Sequence, residues 1–137
     1  MTNLLISLHQ YSDLGLFILR FALGTIFWVH GTGKLKMWKM TPSEQMPKKM
    51  INLMRLLSIC EPLGALAMFS GFLVQPAALG FSIIMLGAIN AKITKWKTPF
   101  WAQTNTGWEF DFLILATSIA LIILGAGAWS LDSLLGL

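Results

Sequence analysis

The stretches Leu14–Gly33, LGLFILRFALGTIFWVHGTG, and Leu53–Val74, LMRLLSICEPLGALAMFSGFLV, decide the fold. Each matches the roughly 20 residues that an α-helix needs to cross a hydrocarbon layer of about 30 Å. Each also carries an ionisable residue at depth, Arg20 in the first and Glu61 in the second. A charge at membrane depth costs at least ~2.5 kcal/mol on insertion scales and is rarely left facing lipid. Opposite charges on consecutive spans therefore predict a helix bundle with a polar site inside it.

Two more apolar runs follow. The third, Pro76–Ala91, extends to Thr94 if Lys92 snorkels along its own stem. The fourth is Phe110–Trp129. Only Gln75 separates Val74 from Pro76, so the second and third spans are expected to be antiparallel neighbours. Pro76 suits the first turn of a helix, where its missing N–H is harmless. The expected fold class is all-α, an integral membrane four-helix bundle, with residues 1–137 as a single domain. Composition agrees: 55% of the 137 residues are hydrophobic and 12% charged, against about 25% charged in soluble domains. Mean hydropathy is +0.69.

The net charge is +4, yet the positive residues are not spread over a soluble face. Lys34, Lys36, Lys39, Lys48 and Lys49 lie in the first loop, with Arg55 just beyond, and Lys92, Lys95 and Lys97 in the third. Such clustering reads as a topology signal rather than a nucleic-acid surface, and no nucleic-acid partner is expected. It places both basic loops in the cytoplasm and both termini outside, in a bacterial inner membrane. No basic segment precedes the first run, so no cleavable signal peptide is expected. Cys60 is the single cysteine, expected as a small buried group. His9 and His30 have no second ligand at metal spacing, and no metal site is expected. The loop tryptophans Trp96, Trp101 and Trp108 read first as interfacial anchors. Their functional reading is a lid over a hydrophobic ligand.

At 100° per residue, Gly24, Gly31 and Lys34 fall within about 40° of Arg20 on the first helix. Glycines on the stripe that carries the charge are expected where another helix packs closely. On the second helix Pro62 follows Glu61, and a kink there would open space beside the carboxylate. Glu61 has three candidate cationic partners: Arg20 from mid-membrane, His30 and Lys34 from the loop side. Arg20 and Glu61 are expected to face inward and interact, either as a structural ion pair or as part of a head-group or proton-relay site. Glu109 and Asp111 open the fourth span. Asp111 reads as a helix-dipole partner, and Glu109 as the acid that reaches the basic loop. Asn90 reads as a helix–helix hydrogen-bonding group. The expected polar cluster is thus Arg20, His30, Lys34, Glu61 and Glu109, with a pocket bounded by the last four on the basic-loop side.

These residues also form a pattern. Arg20-Phe-Ala-Leu-Gly24, then His30-Gly31 and Lys34-Leu35, resembles the R-x-x-x-G…H-G-x-x-K signature of the DoxX family. Glu61, Gly64 and Gly71 resemble its E-x-x-G…G second span. Gly107-Trp-Glu109 and Gly125-Ala-Gly127…Ser130-Leu131-Asp132 resemble its closing elements. The resemblance runs in order over nearly the whole chain. It implies a four-helix membrane protein akin to the DoxD subunit of thiosulfate:quinone oxidoreductase, or to members linked with membrane oxidoreductase and thiol-stress systems. Two departures stand out. Phe72-Leu-Val-Gln75 lacks the basic residue usual in that turn, and Asn90 or Lys92 lies where the family's third-span His is expected.

Three functions follow as expectations. The first is a subunit or accessory of a quinone-linked membrane oxidoreductase, with an oxidoreductase partner subunit and no covalent cofactor. The second is a non-enzymatic membrane assembly or chaperone protein. The third is a small-molecule transporter, which as a four-helix unit would need a homo-oligomer to make a path. The lone thiol argues against dithiol exchange. No self-contained catalytic motif is visible, and no residue is assigned a catalytic role.

Overall fold

A computed structural model describes residues 8–103 and 107–137, with side chains from residue 10 onward. The His9 side chain therefore lies outside the described residues. Four main helices run in chain order: α1 (Ser12–Gly33), α2 (Lys48–Ser70), α3 (Val74–Thr94) and α4 (Glu109–Leu124). A short α5 (Leu131–Leu135) closes the chain. α1, α2 and α3 are long and apolar enough to cross a membrane. Among the described residues there is no strand.

The helices end where the backbone forces them to. α2 stops at Ser70, four residues before the expected end of its apolar run, because Gly71 takes the left-handed conformation (φ +68°) and caps it. Leu73, also left-handed, completes the tight turn into α3, and Pro76 falls in the first turn as expected. α4 stops at Leu124 rather than at Trp129. Gly125 and Gly127, both at positive φ, turn the chain back over the end of the bundle. α4 is thus 16 residues long.

Burial is inverted relative to a water-soluble protein. Arg20 and Glu61 are 1% and 2% exposed, whereas Leu63 is 61% and Ile123 75% exposed. A large apolar outer face with polar residues turned inward is stable only against lipid, where helices satisfy their own backbone groups. The chain is an integral membrane protein.

The most extensive packing is of α1 on α2 and of α3 on α4. Glycines set the α1–α2 contact, as the stripe in the sequence predicts. A Cβ at Gly24 would lie 2.8 Å from Phe69 Cε1, and one at Gly31 would lie 2.8 Å from Pro62 Cγ and 2.9 Å from Glu61 Cβ. The Pro62 ring itself packs against the backbone of α1 at Gly31. The two helix pairs meet in a hydrophobic core. Phe27 of α1 stacks on Phe81 of α3 with centroids 3.5 Å apart. Around them pack Leu23, Ala65, Met68, Ala78 and Leu121. Gly64 leaves the room that the Phe81 ring takes.

Candidate functional site

The polar residues divide into two groups at opposite ends of the bundle. At the terminal end, Arg20 Nη1 donates to the Met68 carbonyl at 3.2 Å and Nη2 to the Trp129 carbonyl at 2.5 Å. Its Cζ lies 5.7 Å from the centre of the Phe17 ring. Gly71 is required here twice over, by its positive φ and because a Cβ would collide with Arg20 Nη1. The Asp132 carboxylate accepts from the Leu73 and Val74 amides at 2.7 and 3.0 Å, capping the start of α3 from a distant part of the chain. The Asp132 amide donates to the Gly71 carbonyl, and Asp13 Oδ1 accepts from the Ala128 amide at 2.8 Å. This end is a clasp that holds the C-terminal segment to the bundle.

The expected Arg20–Glu61 pairing is not formed. Arg20 hydrogen-bonds to backbone carbonyls, and Glu61 belongs to the other end. Lys34 Nζ lies 2.5 Å from Glu61 Oε2. The close approach at Gly31 makes this pair. It brings the C-terminus of α1 against Pro62, and Lys34, the first residue after α1, reaches the carboxylate one position earlier. Nearby, Trp38 Nε1 donates to Ser58 Oγ at 2.9 Å. Arg55 donates to the carbonyls of Met37 and Met40, so the first basic loop is folded back onto α2.

The acid that α4 turns inward is Asp111, not Glu109. Lys92 Nζ sits 2.6 Å from Asp111 Oδ2 and donates to the Gly107 carbonyl at 3.2 Å, so Lys92 is tied down rather than snorkelling. Glu109 is half-buried, and its backbone N–H donates to the Phe100 carbonyl. The two acids are two positions apart, about 200° around a helix, so they cannot face the same way. Asp111 shares its face with the buried Ile114, Ser118 and Leu121. That i, i+3, i+7, i+10 spacing was the sequence signal that distinguishes them.

Between the two ion pairs a cavity of about 670 Å³ opens on the basic-loop side, where α2 and α3 diverge. His30, Lys34, Glu61 and Asp111 line it; Arg20 and Glu109 do not. Its α2 wall is Met50, Leu53, Met54 and Leu57, one face of that helix, and its α3 wall includes Gly80, Ile84 and Gly87. Asn90 faces this space, and among the described residues its side chain makes no helix–helix hydrogen bond. Cys60 is exposed and lines the cavity, contrary to its expected burial. Trp101 and Trp108 do not cover it. Trp108 packs edge-on against Phe100, with centroids 4.5 Å apart, and the tryptophan at the cavity is Trp96. Among the described residues no group of three His, Cys, Asp or Glu side chains could hold a metal.

Chemically, the loop end of the cavity is rich in donors. Both carboxylates are matched by lysines. A lysine ammonium has three N–H donors, and Glu61 engages one of Lys34's. The His30 ring and the Asn90 amide can each donate and accept. The remainder of the wall is hydrocarbon. The volume lies within the ~300–1,000 Å³ usual for small-molecule sites.

Fold and site together define a small helical membrane protein with an amphipathic intramembrane cavity. Its sequence matches the DoxX family over residues 15–104. It is also 30% identical over 129 residues to a Bacillus subtilis protein named "Putative oxidoreductase CatD", covering 91% of this chain and 90% of that relative. This chain belongs to the DoxX family. No solved structure matches it.

Proposed function

We propose that this protein is a membrane subunit or accessory of a quinone-linked oxidoreductase system, and that the cavity between the helix pairs is its quinone site. One observation carries the reading: a cavity with apolar walls whose polar end holds Lys34, with N–H groups that Glu61 does not engage. Quinone carbonyls are acceptors on an apolar ring and complement such an end. The name of the Bacillus subtilis relative supports an oxidoreductase setting. A quinone held there would supply the redox chemistry, a two-electron, two-proton reduction with the electrons drawn from a partner subunit. Lys34 then orients one carbonyl through the N–H groups that Glu61 leaves free. His30, exposed at the cavity edge, carries a proton between the loop side and that oxygen. In this reading the basic loops lie on the cytoplasmic face of a bacterial inner membrane, with both termini outside.

The test is to purify the protein in mild detergent, extract it with organic solvent and quantify quinone. Near-stoichiometric quinone is expected in the wild type and depletion in Lys34→Met and His30→Ala. Protein that folds but retains no quinone and takes up none when it is added would overturn the proposal. That result would favour a non-enzymatic assembly role or small-molecule transport.

A further inference from the structure

α2 and α3 touch near their shared turn, where Gly64 receives the Phe81 ring, and separate from there toward the basic loops. Several residues along the separation belong to the cavity wall and to the outer surface at once. Leu56 and Cys60 on α2 and Ile83 on α3 are exposed and also line the cavity. They lie near the middle of their helices, so the opening is at mid-membrane depth, where lipid and not water is outside. Gly80 and Gly87 line the same gap, and a Cβ on either would meet nothing within 4 Å. They are seven residues apart, about 10.5 Å along one face of α3. The charged and polar groups gather at the loop end of this gap, and hydrocarbon fills the rest.

We infer that the gap between α2 and α3 is a lateral portal through which a single-tailed amphiphile enters from the bilayer, its tail lying across Gly80 and Gly87. The inference rests on the proposed quinone site and specifies its substrate class: a quinone with a long isoprenoid tail rather than a soluble, tail-less one. Three features require this. The cavity holds a head group and the first part of a tail but not a long isoprenoid. The polar end fixes the head group toward the loops. The surplus tail then has one way out, through the side that is already open to lipid. The two glycines keep that exit clear, since any larger side chain would stand in it.

The experiment compares two quinones with fully substituted rings, decylubiquinone and tail-less duroquinone, in phospholipid nanodiscs. Binding is read by quenching of tryptophan fluorescence, to which Trp96 at the cavity contributes. The variants are Gly80→Leu/Gly87→Leu and, as a control away from the cavity, Gly15→Leu on the outer face of α1, where an added Cβ meets nothing within 4 Å. Each quinone is compared between variant and wild type, so partition into the lipid cancels. The double variant is expected to weaken decylubiquinone by about tenfold or more while duroquinone changes by less than about twofold. Gly15→Leu should bind both like the wild type. Equal loss of both quinones, or loss of neither, in a double variant that melts like the wild type overturns the portal and leaves the proposed function standing. Wild type that binds neither quinone overturns both. A two-chain phospholipid retained in the cavity by native mass spectrometry, and not displaced by decylubiquinone, also overturns the portal.

Discussion

Lys34 Nζ lies 2.5 Å from the Glu61 carboxylate, and the pair depends on α1 and α2 approaching at a glycine–proline contact just beyond it. The two members are unequal. Glu61 is 2% exposed, whereas the Lys34 side chain is 21% exposed. Lys34→Ala strands a buried carboxylate and should cost about 3–5 kcal/mol of stability. Glu61→Gln leaves an ammonium that can still reach the interface and should cost clearly less. Unfolding titrations in mixed micelles measure both. Equal losses would show that the asymmetry in burial has no energetic consequence.

Gly31 and Gly87 make a matched pair of tests. A methyl group at Gly31 runs into Pro62 and the Glu61 Cβ. Gly31→Ala should destabilise the protein by about 1–3 kcal/mol through overpacking. At Gly87 nothing lies within 4 Å of the added atom. Gly87→Ala should be neutral or stabilise by up to ~1 kcal/mol, because alanine loses less backbone entropy in a helix. The same unfolding measurement ranks them.

Asp132 caps α3 from the far end of the chain. Asp132→Ala should cost about 0.5–2 kcal/mol, the usual loss for a helix cap. Hydrogen exchange should accelerate at the Leu73 and Val74 amides first. Asp132→Asn keeps one acceptor oxygen and should fall between the two.

The orientation is open to a direct test. Eight lysines lie in the two loops on one side of the bundle or at the helix ends that border them. A reporter fused at Leu137 should be active only if it functions outside the cytoplasm, and one in the loop near Ser43 only if it functions inside. The reverse pattern would invert the topology and leave the fold unchanged.

Hydropathy and length made the three long helices legible, because a helix in lipid must be continuously apolar. The α1 face holding Arg20, Gly24 and Gly31 was legible as well, since helical phase follows from spacing alone. The partners were less so. Arg20 bonds to the Met68 and Trp129 carbonyls, and a backbone acceptor leaves no mark in a sequence. Asp132 is an ordinary acid until the turn at Gly71 brings the start of α3 beside it. The choice of Lys34 over Arg20 for Glu61 depends on where α1 presses on Pro62, which is a packing result. Asp111 over Glu109 was readable from the phase of Ile114, Ser118 and Leu121. The cavity was not, because it arises from the divergence of α2 and α3 beyond Gly64 and Phe81.

The central claim, a quinone held between the two helix pairs, is tested most directly by photolabelling. A photoreactive quinone in native membranes, followed by peptide mapping, reports where the ring sits. Adducts are expected on α2 between Met50 and Glu61 and from Gly80 on α3 to Trp96 just beyond it, reduced by excess natural quinone. Adducts confined to the clasp at Gly125–Leu137, or labelling that excess quinone does not reduce, would contradict it.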